Sequence, residues 1–228
     1  MPLGTKLLVA AYYVHYLNRA LISPLRTPSR SKSHLAVVLA AVSFNIFNGS
    51  MLGSYLVSPY AKVFAATVSP LRFYAGLSLW ALGFVGNIAH DEILLNIRRK
   101  AKSKGKAKAP EEQDPSGKDK KEHYDIPHGL LYTFISYPNY FCEWAEWLGF
   151  ALAAAPIPPL NHLAQLLNPL HAANLEPYLF APLLTPPWIF LITEITTMLP
   201  RAWKGHKWYH QTFPHYPKER KVVVPFVL

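Results

Sequence analysis

The chain has 228 residues, a length that suits one domain, and 51% of them are hydrophobic while 16% are charged. The formal net charge of +10 suggests nucleic-acid binding, but a soluble nucleic-acid-binding protein does not carry several apolar segments of bilayer length. The single cysteine, Cys142, excludes an intrachain disulfide, and the ten histidines show no metal-ligand spacing. The composition therefore favours a membrane protein with no nucleic-acid partner and no metal site.

Five apolar segments each have about the twenty residues that a helix needs to cross the hydrocarbon core of a bilayer. The fourth contains Pro138, where we expect a break, and a bundle tolerates such prolines where neighbouring helices satisfy the freed carbonyls. We therefore predict an all-α integral membrane bundle of about five transmembrane helices. The predicted spans are Leu3–Ile22, Leu35–Val57, Phe73–Leu95, Gly129–Ile157 and Tyr178–Leu199.

Positive charge alternates along the segments that follow each span. In chain order these segments hold 3, 1, 10, 0 and 6 Lys or Arg residues, and the positive-inside rule places the basic ones in the cytosol. Five spans reproduce this alternation with a lumenal N-terminus and a cytosolic C-terminus. Residues 1–228 are predicted to form a single domain in which the basic loop 99–123, without apolar periodicity, is disordered. The second interpretation of that loop is contact with anionic membrane lipid.

The fourth predicted span carries polar side chains on one side. Asn139, Glu143 and Glu146 fall at i, i+4 and i+7, which places them on one helix face. Ionisable side chains are costly inside a bilayer and mark candidate sites. We therefore predict that Glu143 is a catalytic carboxylate; the alternative is a structural polar seam, or a wet position near the interface.

The third predicted span presents a second polar face. Asn87 and Asp91 lie at i and i+4, and Arg98 follows at i+11, close to three helical turns. This face runs from the middle of the membrane to the cytosolic boundary, so it suits a ligand with an uncharged inner end and a phosphate outer end. For Arg98 the alternative is simple anchoring at the cytosolic boundary. His90 lies off this face and is interpreted as structural.

The first span ends in a polar cluster that includes His15, Tyr16 and Arg19. A buried tyrosine hydroxyl needs a partner, and it can polarise a carbonyl group as a proton donor. The alternative is interfacial anchoring, which Tyr and Arg commonly perform. In the second span, Asn48 and Gly49 form a polar gap of small side chains.

The tail Arg201–Leu228 is basic and rich in aromatic residues. Its Arg, Lys and His side chains could neutralise a polyphosphate, and its Trp and Tyr rings offer flat surfaces for a nucleotide or a membrane interface. The sequence has no Walker loop, no GxGxxG motif and no nucleophile elbow. Any nucleotide is therefore expected to bind within the helical bundle.

Five motif-bearing segments follow one another at compatible spacing, and their combination is specific although each alone is weak. The segments are V-H-Y-L-N-R at Val14–Arg19, F-N-G-S-M-L-G-S-Y-L at Phe47–Leu56, L-R-F-Y-A-G through N-I-A-H-D-E-I-L-L-N-I-R at Leu71–Arg98, Y-D-I-P-H-G through N-Y-F-C-E-W-A-E-W-L-G-F-A-L at Tyr124–Leu152, and H-K-W-Y through Y-P-K-E-R-K-V-V-V-P-F at His206–Phe226. Together they resemble the steroid 5-alpha-reductases, which are membrane NADPH-dependent reductases of conjugated enones.

The resemblance implies NADPH as cofactor, a steroid or other lipid enone as substrate, and a place in the endoplasmic reticulum membrane. Tyr16 corresponds to the tyrosine that hydrogen-bonds the substrate ketone. The positions implied to contact or adjoin NADPH are Arg19, Arg30, Asn87, Asp91, Arg98, Tyr124, Asn139, Glu143, Arg201, His206 and Tyr209.

Two departures from the family pattern accompany the resemblance. Family members carry two further N-terminal spans, one with a glutamate that pairs with the catalytic tyrosine, so this chain is expected to begin at the third family span. Asp125 stands where family members often carry Arg, which removes one expected phosphate contact. The alternatives are an enoyl-CoA or polyprenol reductase of the same superfamily, a membrane methyltransferase, and an inactive truncated membrane protein. The particular sterol and the oligomeric state stay open.

Overall fold

The computed structural model describes residues 1–27, 34–107, 125–159 and 184–228, and within these ranges every regular element is helical. One isolated parallel bridge joins Ile135 to Lys221. The predicted all-α class is confirmed for these residues. The α-helices are α1 (Leu3–Leu17), α2 (Ser23–Arg26), α3 (Leu35–Val57), α4 (Pro59–Thr67), α5 (Pro70–Ala107), α6 (Pro138–Ala154) and α7 (Pro186–Thr212), with a π-helical turn at Asn18–Ile22 and a 3₁₀ turn at Leu130–Thr133.

The first predicted span is a continuous helical rod in which α1 passes through the π-helical turn into α2. Pro24 lies in the first turn of α2, directly after the π-helical turn, and it has no N–H to donate to a carbonyl of that turn. A π-helical turn changes the angular position of the side chains that follow it and is frequent at functional sites. Arg19 lies in this turn, directly after the part of α1 that carries His15 and Tyr16.

The second predicted span coincides with α3, Leu35–Val57. Ser58 ends it in an extended conformation, and the Ser58 hydroxyl accepts a hydrogen bond of 3.1 Å from the backbone N–H of Ala61 at the start of α4. By length and apolar composition, α3 could cross a membrane. The segment Pro59–Thr67 and the helix that follows it meet the same test only together, and they are bent by 109°. The five-span arrangement stays a prediction.

Helix α5 is longer than the predicted third span and continues to Ala107. The prediction of a disordered loop over residues 99–123 is therefore wrong for residues 99–107, which are helical. The run of Ala and Lys in this part has high helix propensity, and it prolongs a helix that has already been nucleated. The rest of the loop, from residue 108, lies outside the described residues.

Among the described helices, α5 and α6 share the most extensive contact, and glycines let their backbones approach each other. A Cβ atom placed on Gly76 would lie 2.7 Å from the carbonyl oxygen of Gly149, and one on Gly83 would lie 2.6 Å from that of Cys142. Small residues at such positions are typical of closely packed membrane helices. This contact brings the polar faces of α5 and α6 together.

The fourth predicted span breaks at Pro138, where α6 begins, so the break expected at this proline is confirmed. The fifth predicted span is helical from Pro186 onward, and α7 passes through Pro200 to Thr212, well beyond the predicted end at Leu199. Residues 178–183 of that span lie outside the described part of the chain.

The C-terminal tail docks onto the segment that precedes α6. Lys221 donates its backbone N–H to the carbonyl oxygen of Phe134 at 2.8 Å, and its own carbonyl oxygen accepts from Ser136 at 2.9 Å. Tyr137 donates its backbone N–H to Val222 at 3.0 Å. Val223 is completely buried, in a cluster with Trp144 of α6 and Ala202 of α7. The tail therefore closes the end of the bundle where α6 begins.

Candidate functional site

The predicted polar faces of the third and fourth spans meet in the structure. The side chain of Asn87 on α5 donates to Glu143 Oε2 and to the backbone carbonyl oxygen of Asn139 on α6, both at 3.1 Å. Asn139 in turn donates its side-chain N–H to Asp91 Oδ1 at 3.0 Å. Asn87, Asp91, Asn139 and Glu143 therefore form one hydrogen-bonded line between two helices. Sequence spacing placed each pair on one face of its own helix, and the packing of α5 against α6 joins the two faces.

The line continues onto α1 through His15. The Nδ1 atom of His15 lies 2.7 Å from Glu146 Oε1, and its Nε2 atom lies 4.0 Å from Glu143 Oε1. His15, Glu143 and Glu146 are all buried, with exposed fractions of 6%, 4% and 0%. A buried carboxylate without a partner is costly, so these contacts hold the three side chains in place. These contacts form a polar path from α1 across α6 to α5. Its members are His15, Glu146, Glu143, Asn87, Asn139 and Asp91.

Tyr16 is the next residue after His15, and it reaches a different helix. Asn48 on α3 donates its side-chain N–H to the Tyr16 hydroxyl oxygen at 2.8 Å. The ring of Tyr12, one turn earlier on α1, lies 4.6 Å from the Tyr16 ring between centroids. Asn48 is buried, with 3% exposed, whereas Tyr16 is only half-buried. The Tyr16 hydroxyl is thus fixed in position while part of its side chain stays accessible.

Three predicted arginines lie around the outer end of this polar path. Arg19 is exposed, yet its charge acts on the carboxylates of Glu143 and Asp91. Arg98 also acts on Asp91, and Arg201 acts together with Arg19 on the Tyr140 hydroxyl. Arg201 is exposed like Arg19, whereas Arg98 is half-buried. Guanidinium groups beside a polar line suit an anionic ligand better than they suit a lipid tail.

The tail places His206 and Tyr209 near the docked segment. His206 Nδ1 lies 2.6 Å from the Ser136 hydroxyl oxygen, which also lies 2.7 Å from the Tyr216 hydroxyl. Burial lowers the pKa of His206, and the charge of neighbouring His210 lowers it further. Tyr209 is buried and stacks on Tyr216 with ring centroids 5.1 Å apart. These two predicted residues therefore form part of the tail's packing.

Two predicted cofactor-binding residues, Arg30 and Tyr124, lie outside the described residues. The structure also adds a residue that the sequence analysis did not select. Glu194 on α7 is half-buried, and its charge acts on Tyr16, Glu143 and Arg19. The rule that singled out Glu143, an ionisable side chain within a predicted span, would have found Glu194 as well.

Comparison with known proteins shows which family the chain is similar to. Residues 31–113, 115–181 and 175–228 match the family described as 3-oxo-5-alpha-steroid 4-dehydrogenase. An uncharacterized protein of Schizosaccharomyces pombe is 41% identical over 224 residues, which cover 98% of this chain and 68% of that protein.

Two similar proteins carry functional names. The 3-oxo-5-alpha-steroid 4-dehydrogenase 1 of Rattus norvegicus is 30% identical over 226 residues, covering 99% of this chain and 69% of the rat protein. The steroid 5-alpha-reductase DET2 of Solanum lycopersicum is 32% identical over 228 residues, covering 97% of this chain and 68% of the tomato protein.

Proposed function

The chain belongs to the 3-oxo-5-alpha-steroid 4-dehydrogenase family, a family of oxidoreductases, and we propose that it reduces a carbon–carbon double bond with NADPH. The substrate class is an α,β-unsaturated ketone in a steroid or a related lipid. The observation that carries this proposal is the Tyr16 hydroxyl, held by Asn48 beside the buried polar path of His15, Glu146 and Glu143.

We further propose that the protein is an integral membrane bundle of about five spans in the endoplasmic reticulum, with its basic loops and C-terminus in the cytosol. The helix Leu35–Val57 supports this, because it is long and apolar enough to cross a bilayer. The alternating charge of the segments that follow the spans supports the orientation. A lipid substrate could then enter the bundle from the membrane.

The residues of the polar path fit NADPH, because they combine neutral hydrogen-bonding groups with cations. Asn87 and Asn139 offer amides within the bundle, and Arg19, Arg98 and Arg201 surround the outer end of the path. A dinucleotide has a neutral nicotinamide end and a phosphate-bearing end, which match this gradient of charge. When bound, NADPH would supply a hydride to the β-carbon of the enone.

Tyr16 has the central part in the proposed mechanism. Its hydroxyl donates a hydrogen bond to the ketone oxygen of the substrate and stabilises the negative charge that develops there as the enolate forms. Water then protonates the α-carbon. Glu143 is buried with one oxygen atom fixed by Asn87, so it is a rigid acceptor that can orient a bound ligand beside Tyr16.

The test is Tyr16→Phe, assayed as NADPH oxidation with a 3-oxo-4-ene steroid. We expect kcat to fall roughly a hundredfold or more, because a donor aimed at developing charge contributes about this much. Tyr13→Phe is the matched control, since Tyr13 lies on the same helix and is 69% exposed. Normal turnover by Tyr16→Phe would remove Tyr16 from its proposed role.

Thermal unfolding in detergent separates the alternative functions. We expect NADPH, and not S-adenosylmethionine, to raise the Tm of both the unchanged chain and Tyr16→Phe, because the substitution leaves the arginines in place. Protection by S-adenosylmethionine alone would indicate a methyltransferase. Turnover of an enoyl thioester or a polyprenol instead of the steroid would move the protein to another reductase branch. Protection without any turnover would indicate an inactive form.

A further inference from the structure

His15 and Glu146 form a buried pair that the proposed mechanism does not use. The 2.7 Å contact between His15 Nδ1 and Glu146 Oε1 joins residues 131 positions apart in the chain, and Glu146 is completely buried. The second carboxyl oxygen of Glu146, Oε2, has no hydrogen-bond partner. The His15 ring also packs edge-on against Trp147, with centroids 4.7 Å apart. The contacts with Glu146 and Trp147 therefore hold the His15 ring in one orientation.

A buried pair of ionisable side chains adds little to the free energy of unfolding by itself. Desolvation of two ionisable groups offsets much of their attraction, and apolar residues of similar size often replace such pairs without loss of stability. What the pair does supply is direction, because a hydrogen bond to Nδ1 fixes both the tautomer and the rotation of the ring. This directional contact joins α1 to α6 at Glu146, which is completely buried.

The position of Tyr16 follows from this contact. Tyr16 is adjacent to His15, so its side chain leaves α1 about 100° further around the helix. Rotation of α1 about its axis would therefore swing the Tyr16 hydroxyl away from Asn48. Asn48 lies on α3, whereas Glu146, which contacts His15, lies on α6. Fixing His15 against α6 fixes the direction in which Tyr16 points.

We infer that His15 and Glu146 are positioning residues that set the rotation of α1 and so aim the Tyr16 hydroxyl at the substrate carbonyl. This inference rests on the proposed function, because it assigns a purpose to the same hydroxyl. It separates two roles on one face of α6: Glu143 faces the ligand, and Glu146 holds α1.

The experiment compares steroid-dependent NADPH oxidation in three variants. Glu146→Leu removes the hydrogen-bonding partner of His15 Nδ1, and we expect kcat to fall about tenfold or more with KM little changed, since misplacement of a reacting group lowers the rate of chemistry. Glu146→Gln keeps an oxygen acceptor and adds N–H donors, so it can bond His15 Nδ1 in either tautomer, and we expect it to restore most of kcat. His90→Gln is the matched control, because His90 is a buried histidine on α5 whose Nδ1 contacts the backbone of Gly86.

The double variant His15→Leu with Glu146→Leu distinguishes positioning from simple packing, and it protects the test against misfolding. We expect this apolar pair to recover the Tm of the unchanged chain while kcat stays about tenfold low, because packing alone supplies no directional bond. Recovery of both Tm and kcat, or an unchanged kcat in Glu146→Leu, would overturn the inference and leave the proposed function intact. Absence of turnover by the unchanged chain would instead overturn the proposed function, and this inference with it.

Discussion

The hydroxyl of Tyr16 depends on Asn48 for its orientation. Asn48 donates to the hydroxyl oxygen at 2.8 Å, and the Tyr16 hydroxyl also shares a hydrogen bond with the Tyr12 hydroxyl. A hydroxyl has one hydrogen to donate, so donation to a ketone requires that the Tyr16 hydrogen turn from Tyr12 to the substrate. The Asn48 contact leaves this exchange open, because it uses the hydroxyl oxygen and not the hydrogen.

Asn48→Leu tests this dependence. The substitution keeps the approximate volume of the side chain but removes the hydrogen bond. We expect kcat to fall about two- to tenfold, because one hydrogen bond contributes a net of about 0.5–1.5 kcal/mol. Asn45→Leu is the control on the same helix, because Asn45 is exposed and donates only to the carbonyl oxygen of Ala41. Equal steroid turnover by the two variants would show that Asn48 does not position Tyr16.

Sequence spacing predicted part of this site well and part of it poorly. The i, i+4 pairs on α5 and α6 identify the two faces that meet, because helical periodicity encodes which residues share a face. It does not encode which faces meet, so the contact of His15 with Glu146 could not be derived from spacing. His15 was instead grouped with Tyr16 and Arg19 in a polar cluster whose alternative explanation was interfacial anchoring.

At the scale of elements, the site depends on how closely α5 and α6 approach. The backbone of α6 at Cys142 and Glu146 lies directly against Gly83, so no side chain fits there. Because Glu143 and Glu146 stand on the same stretch of α6, any increase in the separation of the helices also moves the polar path.

Gly83→Ala should therefore destabilise the protein by about 1–3 kcal/mol through overpacking and should also reduce activity. Gly53→Ala is the control in α3, where an added Cβ meets nothing within 4 Å. There we expect the Tm to stay unchanged or rise, since Ala is favoured over Gly within a helix by roughly 0.5–1 kcal/mol. Measurement of both Tm values in detergent checks the pair, and equal shifts would contradict the close packing described above.

The ends of the helices show where the sequence was informative. Pro138 marks the start of α6, and Ser58 with Pro59 ends α3 and begins α4, because a proline fixes the backbone at the first helical position. The sequence does not reveal the end of α5, because the charged run after Arg98 has no apolar periodicity and so predicts disorder, although its residues favour helix. Low apolar content shows that a segment has no buried face, but a helix already nucleated upstream can continue through it.

On the scale of the whole molecule, the part of the tail that follows α7 packs against both α7 and the segment that precedes α6. Ser136 precedes α6, His206 lies on α7, and Tyr216 follows α7. The side chains of His206 and Tyr216 both contact the Ser136 hydroxyl. Arg220 lies over the Tyr216 ring at 5.0 Å and is itself buried. The sequence predicted a basic, aromatic tail, but it did not predict that the tail would pair with residues 134–137.

This junction makes stability depend on pH through His206. Burial lowers the pKa of His206, so the folded chain binds a proton less readily than the unfolded chain, whose histidines titrate near a pKa of about 6.5. The contribution of His206 to stability is therefore complete above about pH 6.5, and it is lost as pH falls below that value toward the lower pKa of the folded state.

We expect the Tm of the chain in detergent to fall as the pH is lowered from about 6.5 to about 5, and His206→Gln to flatten that decrease. Glutamine cannot titrate, yet it keeps polar atoms that can bond the Ser136 hydroxyl. His215→Gln is the matched control, since His215 is an exposed histidine of the same tail. Parallel pH curves for His206→Gln and the unchanged chain would show that the junction does not sense pH, whereas flattening in His206→Gln alone would place the sensitivity where α7, the tail and the segment before α6 meet.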